Sequence, residues 1–107
     1  MKSEIISKDV ECDNISKLKI SIEKLLYDSD IDCYDVIVLN NIAYDSILIK
    51  LYICDDDNFV KLHEKQLYKA RKDLRKLLKQ NEHFNFYMSS ARVSVNCFIN
   101  INLLLKH

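Results

Sequence analysis

Asn58-Phe59-Val60-Lys61-Leu62-His63-Glu64-Lys65-Gln66-Leu67-Tyr68-Lys69-Ala70-Arg71-Lys72-Asp73-Leu74-Arg75-Lys76-Leu77-Leu78-Lys79-Gln80-Asn81 is the stretch whose periodicity decides the fold. At about 100° per residue, Val60, His63, Leu67, Ala70, Leu74 and Leu77 fall on one face of a helix. Lys61, Lys65, Lys69, Lys72, Lys76 and Lys79 fall on the opposite face, and Arg71 and Arg75 flank them. The segment therefore predicts one long helix over 58–81 with a buried stripe and a cationic stripe. A basic stripe of this kind is the electrostatic footprint of a polyanion partner. It also fits an ordinary solvated helix face. Against that stands the near absence of the Glu-to-Lys pairs at i,i+4 that solvated helices usually carry.

The whole-chain charge hides the asymmetry. Sixteen Lys and Arg balance sixteen Asp and Glu over 107 residues. Residues 1–57, however, carry six Lys against 13 acids, a net of −7, and residues 58–107 carry ten basic residues against three acids, a net of +7. This predicts an acidic face and a basic face on one small domain.

Working towards the N-terminus, the acidic run Asp55-Asp56-Asp57 is expected to supply the cap of the basic helix. Residues 46–54 alternate, with Ile47, Ile49, Leu51 and Ile53 on one side and Lys50 and Tyr52 on the other, which predicts a strand. Tyr34-Asp35-Val36-Ile37-Val38-Leu39 predicts another, ending in a turn at Asn40-Asn41. Ile15, Leu18, Ile22 and Leu25 repeat at helical spacing over 13–28, capped by Asp13 or Asn14. Working towards the C-terminus, residues 83–90 read either as an irregular connection or as a short strand. Arg92 to Leu103 alternates as a single strand, with Val93, Val95, Cys97, Ile99, Ile101 and Leu103 on the apolar side.

The order α-β-β-α-(β)-β predicts a single α+β domain over residues 1–107, a two-layer sandwich with two helices on one face of a small sheet. Were Glu4-Ile5-Ile6 a first strand, the order would be β-α-β-β-α-β, ferredoxin-like.

The chain has no Gly, Pro or Trp and only three Ala and three Arg, while Ile, Asn and Lys abound. This is the bias of an extremely AT-rich genome. Positions needing positive φ must then use Asn or Asp, with Asn40-Asn41, Asp55–Asp57 and Asn81 as candidates. Lack of glycine excludes Gly-rich phosphate loops and nucleophile elbows. Cys12, Cys33, Cys54 and Cys97 are widely spaced and stand at no ligand spacing with His63, His83 or His107, so no metal site and no cofactor are expected. Reduced thiols in an intracellular protein are expected, with Cys97 in the core. There is no secretory h-region at the N-terminus and no apolar run of membrane-spanning length. No catalytic constellation is present, so the protein is expected not to be an enzyme.

Three stretches together resemble the ribosome-binding factor A family of small-subunit assembly factors. Asn41-Ile42-Ala43-Tyr44 with Lys50-Leu51-Tyr52-Ile53 is similar to its turn and second strand. Ala70 with Arg75-Lys76-Leu77-Leu78 is similar to its alanine-marked helix-kink-helix, and Arg92-Val93-Ser94-Val95-Asn96-Cys97-Phe98 to its final strand. The proline of that last motif is absent, and no glycine follows Ala70. The resemblance covers roughly residues 13–100 and implies a type-II KH-like α-β-β-α-β fold. It further implies a monomer that binds ribosomal RNA of the small subunit during its maturation, without catalysis or membrane contact. Lys61, Lys65, Lys69, Ala70, Arg71, Lys72, Arg75, Lys76, Lys79 and Arg92 are then the RNA-facing residues. The site of action would be the cytoplasm in a bacterium, and a plastid or mitochondrion in a eukaryote.

The alternative reading is a protein-interaction module that self-associates or binds an acidic partner through its oppositely charged halves. On that reading the long final strand, if it lies on a sheet edge, offers a second surface.

Overall fold

The computed structural model describes residues 2–31, 34–40, 44–52, 63–93 and 96–106, with side chains described from residue 14 onward. Six elements run in the order α1 (Lys2–Asp28), β1 (Tyr34–Asn40), β2 (Asp45–Tyr52), α2 (Glu64–Gln80), β3 (Phe84–Val93) and β4 (Asn96–Leu105). The four strands form one fully antiparallel sheet in the order β1-β2-β4-β3. Both helices contribute to a single apolar core with one face of that sheet, so the protein is a two-layer α+β sandwich.

The strand alternation places that core. Ile47, Ile49 and Leu51 of β2 and Cys97, Ile99, Ile101 and Leu103 of β4 are buried on the helix side. Registers such as Ile49↔Ile99 and Ile47↔Ile101 set them side by side. Each buried aliphatic contributes about 1.5–3 kcal/mol of transfer free energy. Ile15, Leu18, Ile22 and Leu26 close the layer from α1, and Leu67, Ala70, Leu74 and Leu78 close it from α2.

Several expectations are corrected. Residues 4–6 lie within α1, so the N-terminal strand that a ferredoxin-like order needs is not formed. The α1 helix begins at Lys2, well before the expected caps at Asp13 and Asn14. Residues 84–93 are a full strand, and the alternation over Arg92–Leu103 is divided between two strands that meet at the pair Val93↔Asn96. Val93 is consequently exposed on the outer side of the sheet while Cys97 is buried on the inner side. The β4 strand is central, flanked by β2 and β3, so it offers no free edge. The expected continuation of β2 through Ile53 and Cys54, the turn at Asn41 and the caps at Asp55–Asp57 lie outside the described residues.

Helix ends replace glycine chemistry with side chains. After α1, Asp30 takes φ 60°, the one positive φ among the described residues. The amide of Ile31 donates to Leu26 O at 3.1 Å and that of Asp30 to Tyr27 O at 3.1 Å. This is the Schellman arrangement, with Ile31 and Leu26 both fully buried beneath it. Asn81, expected to take positive φ, instead caps α2 from extended backbone at φ −69°, ψ 145°. Its Oδ1 accepts from the amides of His83 (3.1 Å) and Phe84 (2.6 Å), and its Nδ2 donates to Leu78 O. Lys106 Nζ donates to Asn81 O at 3.2 Å, joining the end of β4 to the same turn.

Candidate nucleic-acid interface

The α2 helix starts at Glu64, with His63 as its N-cap. The backbone amide of His63 donates to Gln66 Oε1 at 3.1 Å, one half of a reciprocal cap. His63 is therefore an exposed capping residue and not part of the buried stripe. Leu78 takes a core place that the sequence pattern gave to Leu77, which is half-buried. Gln66 Nε2 also donates to Asp30 O at 3.4 Å, linking the α2 start to the α1 end.

With Leu67, Ala70, Leu74 and Leu78 buried against the sheet, helical geometry directs Lys65, Lys69, Lys72, Lys76 and Lys79 away from it. All five are exposed, as are Arg71 and Arg75. Consecutive lysines rise about 4.5–6 Å along the axis, and the row spans about 21 Å. None of these seven cations makes an ion pair among the described residues, where the salt bridges are Lys19–Glu23 and Arg92–Glu64. Such unpaired charges on one face sum to a positive potential. Tyr68 stands beside the row, 71% exposed, so an aromatic ring lies among the ammonium groups. Glu64 in the first turn and Lys79 in the last also agree with the helix dipole.

Arg92 is not an outlier of this set. It lies on the helix side of β3, exposed, with Nη2 4.0 Å from Glu64 Oε1. Arg71 and Arg92 are also the cations nearest in effect to Cys97. Burial pushes that thiol up from 9.0, while the two guanidinium groups pull it down more weakly. Arg71 and Arg92 thus both lie near Cys97, and Arg75 follows Arg71 one turn along α2.

Ala70 is corrected. Its methyl is fully buried in the core and α2 passes through it without interruption, so no surface is presented there and no kink separates two helices. Lys61 lies outside the described residues.

On the α1 side, a groove of about 430 Å³ is lined by Ser21, Lys24, Asp28, Lys69 and Asp73 among others. Its two lysines and two aspartates balance, so it adds no net attraction for an anion. No group of three or more His, Cys, Asp or Glu capable of holding a metal occurs among the described residues. No helix among them is long and apolar enough to cross a membrane.

Sequence reasoning leaves one helix or one sheet face free for a partner but does not identify the apolar residues on the outer face of the sheet. There Ile37, Leu39, Tyr87 and Leu104 are exposed, a feature that becomes visible only when four separate strands are assembled in register.

Neither a protein-family model, nor a curated protein, nor a solved structure matches the chain.

Proposed function

We propose that the protein is a non-catalytic RNA-binding domain that engages the phosphate backbone through the solvent face of α2. The observation that carries this reading is the row of exposed, unpaired lysines with Arg71 and Arg75 beside it. Lysines at this spacing neutralise successive phosphates and release condensed counterions. Tyr68, at the border of the row, supplies a ring on which an unpaired base stacks. RNA is preferred to duplex DNA because the exposed Tyr68 ring beside the row favours single-stranded segments with unpaired bases.

The narrower form of the proposal is an assembly factor acting on ribosomal RNA of the small subunit, in whichever compartment that ribosome matures. Support for it comes from the resemblance around 41–53, 75–78 and 92–98 and from the shared α-β-β-α-β core of the element order. The type-II KH-like assignment departs at two points: β3 is an additional strand, and α2 is unbroken at Ala70. The contact surface in this proposal is accordingly the lysine row and its arginine flank, without Ala70.

The test is binding to small-subunit ribosomal RNA fragments and to unrelated structured RNA across a salt series. It compares wild type with a variant carrying Lys65→Glu, Lys69→Glu, Lys72→Glu and Lys76→Glu. Expected is a steep inverse dependence on salt that the variant flattens while its melting curve persists. Equal affinity of the two proteins would refute the α2 surface. Equal affinity of wild type for both RNAs would retain RNA binding and remove the ribosomal assignment.

A further inference from the structure

The outer face of the sheet carries no helix among the described residues, and its chemistry differs from that of α2. Assembled from the registers, its rows read Leu39–Ser46–Asn102–Tyr87, Ile37–Leu48–Asn100–Ser89 and Asp35–Lys50–Phe98–Ala91. Apolar side chains and neutral amides fill it. Ile37 is 43% exposed, Leu39 46%, Tyr87 68% and Leu104 54%.

Its two charges, Asp35 and Lys50, are cross-strand neighbours and are knitted together by Tyr52. The Tyr52 hydroxyl donates to Asp35 Oδ2 at 2.8 Å, and Lys50 Nζ lies 5.2 Å from the Tyr52 ring centre. The face is therefore neutral in a chain whose other surfaces are strongly charged. It offers a polyanion no unmatched cation, and an acidic or basic partner no counter-charge.

From the middle of this face comes a second observation. The carboxamides of Asn100 and Asn102 lie half-buried on the inner strand β4. A carboxamide is both donor and acceptor, so an identical face meets Asn100 and Asn102 with matching groups, reciprocally across a two-fold axis. The area is also sufficient. Four strands about 4.8 Å apart and about 29 Å long present about 550 Å² each in plan, about 1,100 Å² for two faces, above the ~1,000 Å² of a specific interface.

We infer that the occupant of this face is a second copy of the chain, packed sheet to sheet. In place of the monomer expected from the sequence, the particle is a four-layer α-β-β-α dimer. Its two faces cross at the roughly 30° that twisted sheets impose, and the lysine rows point outward on opposite sides. This inference does not depend on the RNA-binding reading, because it uses neither α2 nor its charges.

Sedimentation equilibrium of the full chain in 0.15 M and 1 M NaCl tests it, beside two variants and with thermal melts to check folding. Ile37→Lys with Leu104→Lys places charges on the exposed apolar positions. Ser89→Glu alters only an exposed polar position next to Asn100, so it leaves the core untouched. Expected is a wild-type dimer that persists in 1 M salt, with a dissociation constant raised at least tenfold in both folded variants. A wild-type monomer at 100 µM would overturn the inference. So would a dimer insensitive to Ser89→Glu, or one dispersed by 1 M salt, which would signal pairing of the acidic and basic halves instead. Loss of RNA binding in a monomeric Ser89→Glu protein whose wild type is also monomeric would assign the face to RNA.

Discussion

Arg92 on β3 and Glu64 at the start of α2 face each other at 4.0 Å, joining the far end of an edge strand to the first turn of the basic helix. Among the described residues, Glu64 is therefore the acid whose ion pair draws a cation away from the proposed RNA surface. Both side chains are more than half exposed, so the pair is worth at most about 1 kcal/mol. Glu64→Gln is expected to cost about 0.3–1 kcal/mol in urea denaturation, mainly through the lost charge at the helix N-terminus. It should also tighten RNA binding and steepen the salt dependence by about one ion. Weaker binding would show that Arg92 needs Glu64 to hold it in place.

Asp30 occupies a left-handed position where glycine carries no Cβ penalty. Asp30→Gly should raise stability by about 0.5–1 kcal/mol, read as an increased urea midpoint at unchanged slope. A decrease would mean that flexibility gained in the unfolded chain outweighs the strain relieved.

Asn81 ends α2 with three side-chain hydrogen bonds. Asn81→Ala should destabilise by about 1–2 kcal/mol, by analogy with the loss of other side-chain caps. Hydrogen exchange should accelerate at the amides of His83 and Phe84, which lose their acceptor.

Ala70 separates the two views of α2. Ala70→Leu should cost about 1–3 kcal/mol by overpacking the fully buried site. RNA affinity, corrected for the folded fraction, should stay within twofold of wild type. A stable variant with weakened binding would restore Ala70 to the surface.

Cys97 titrates above its ordinary 9.0 because burial disfavours the thiolate, a shift that Arg92 and Arg71 only partly offset. The unfolded chain thus releases this proton at lower pH than the folded one. The stability it contributes is complete below the unfolded value and is lost as pH rises from there to the raised folded value. Denaturation midpoints between pH 8 and pH 10.5 should show this alkaline loss, and Cys97→Ala should remove that component. Site-resolved alkylation at pH 8 should find Cys97 protected in the native protein and reactive in urea.

The sequence was most legible where burial is periodic. Ile47, Ile49 and Leu51, and Cys97, Ile99, Ile101 and Leu103, declare their strands by alternation, and Leu67, Ala70 and Leu74 declare their helix. The lysine row follows from the same wheel. Not every feature was legible. The break between β3 and β4 has no Gly, Pro or Asn-Gly signal, and Ser94-Val95 continues the alternation on both sides, so one strand and two strands look alike. Ala70 entered the RNA-facing set only through the family resemblance, against its place in the helical pattern. Periodicity alone puts it on the apolar stripe, and there it is fully buried.

The sheet order also constrains how the chain acquires its structure. The last of the six elements, β4, lies in the middle of the sheet, and Asp45 pairs with Leu103 across more than half the chain length. Until β4 has been synthesised, the β1–β2 hairpin and β3 have no partner between them, and the inner edges of both stand unpaired. Productive folding therefore waits for β4 to emerge from the ribosome, which favours slow closure over early local collapse. A chain stopped before Asn96 keeps both helices and three strands but has no strand to join them, and is expected to aggregate through those open edges.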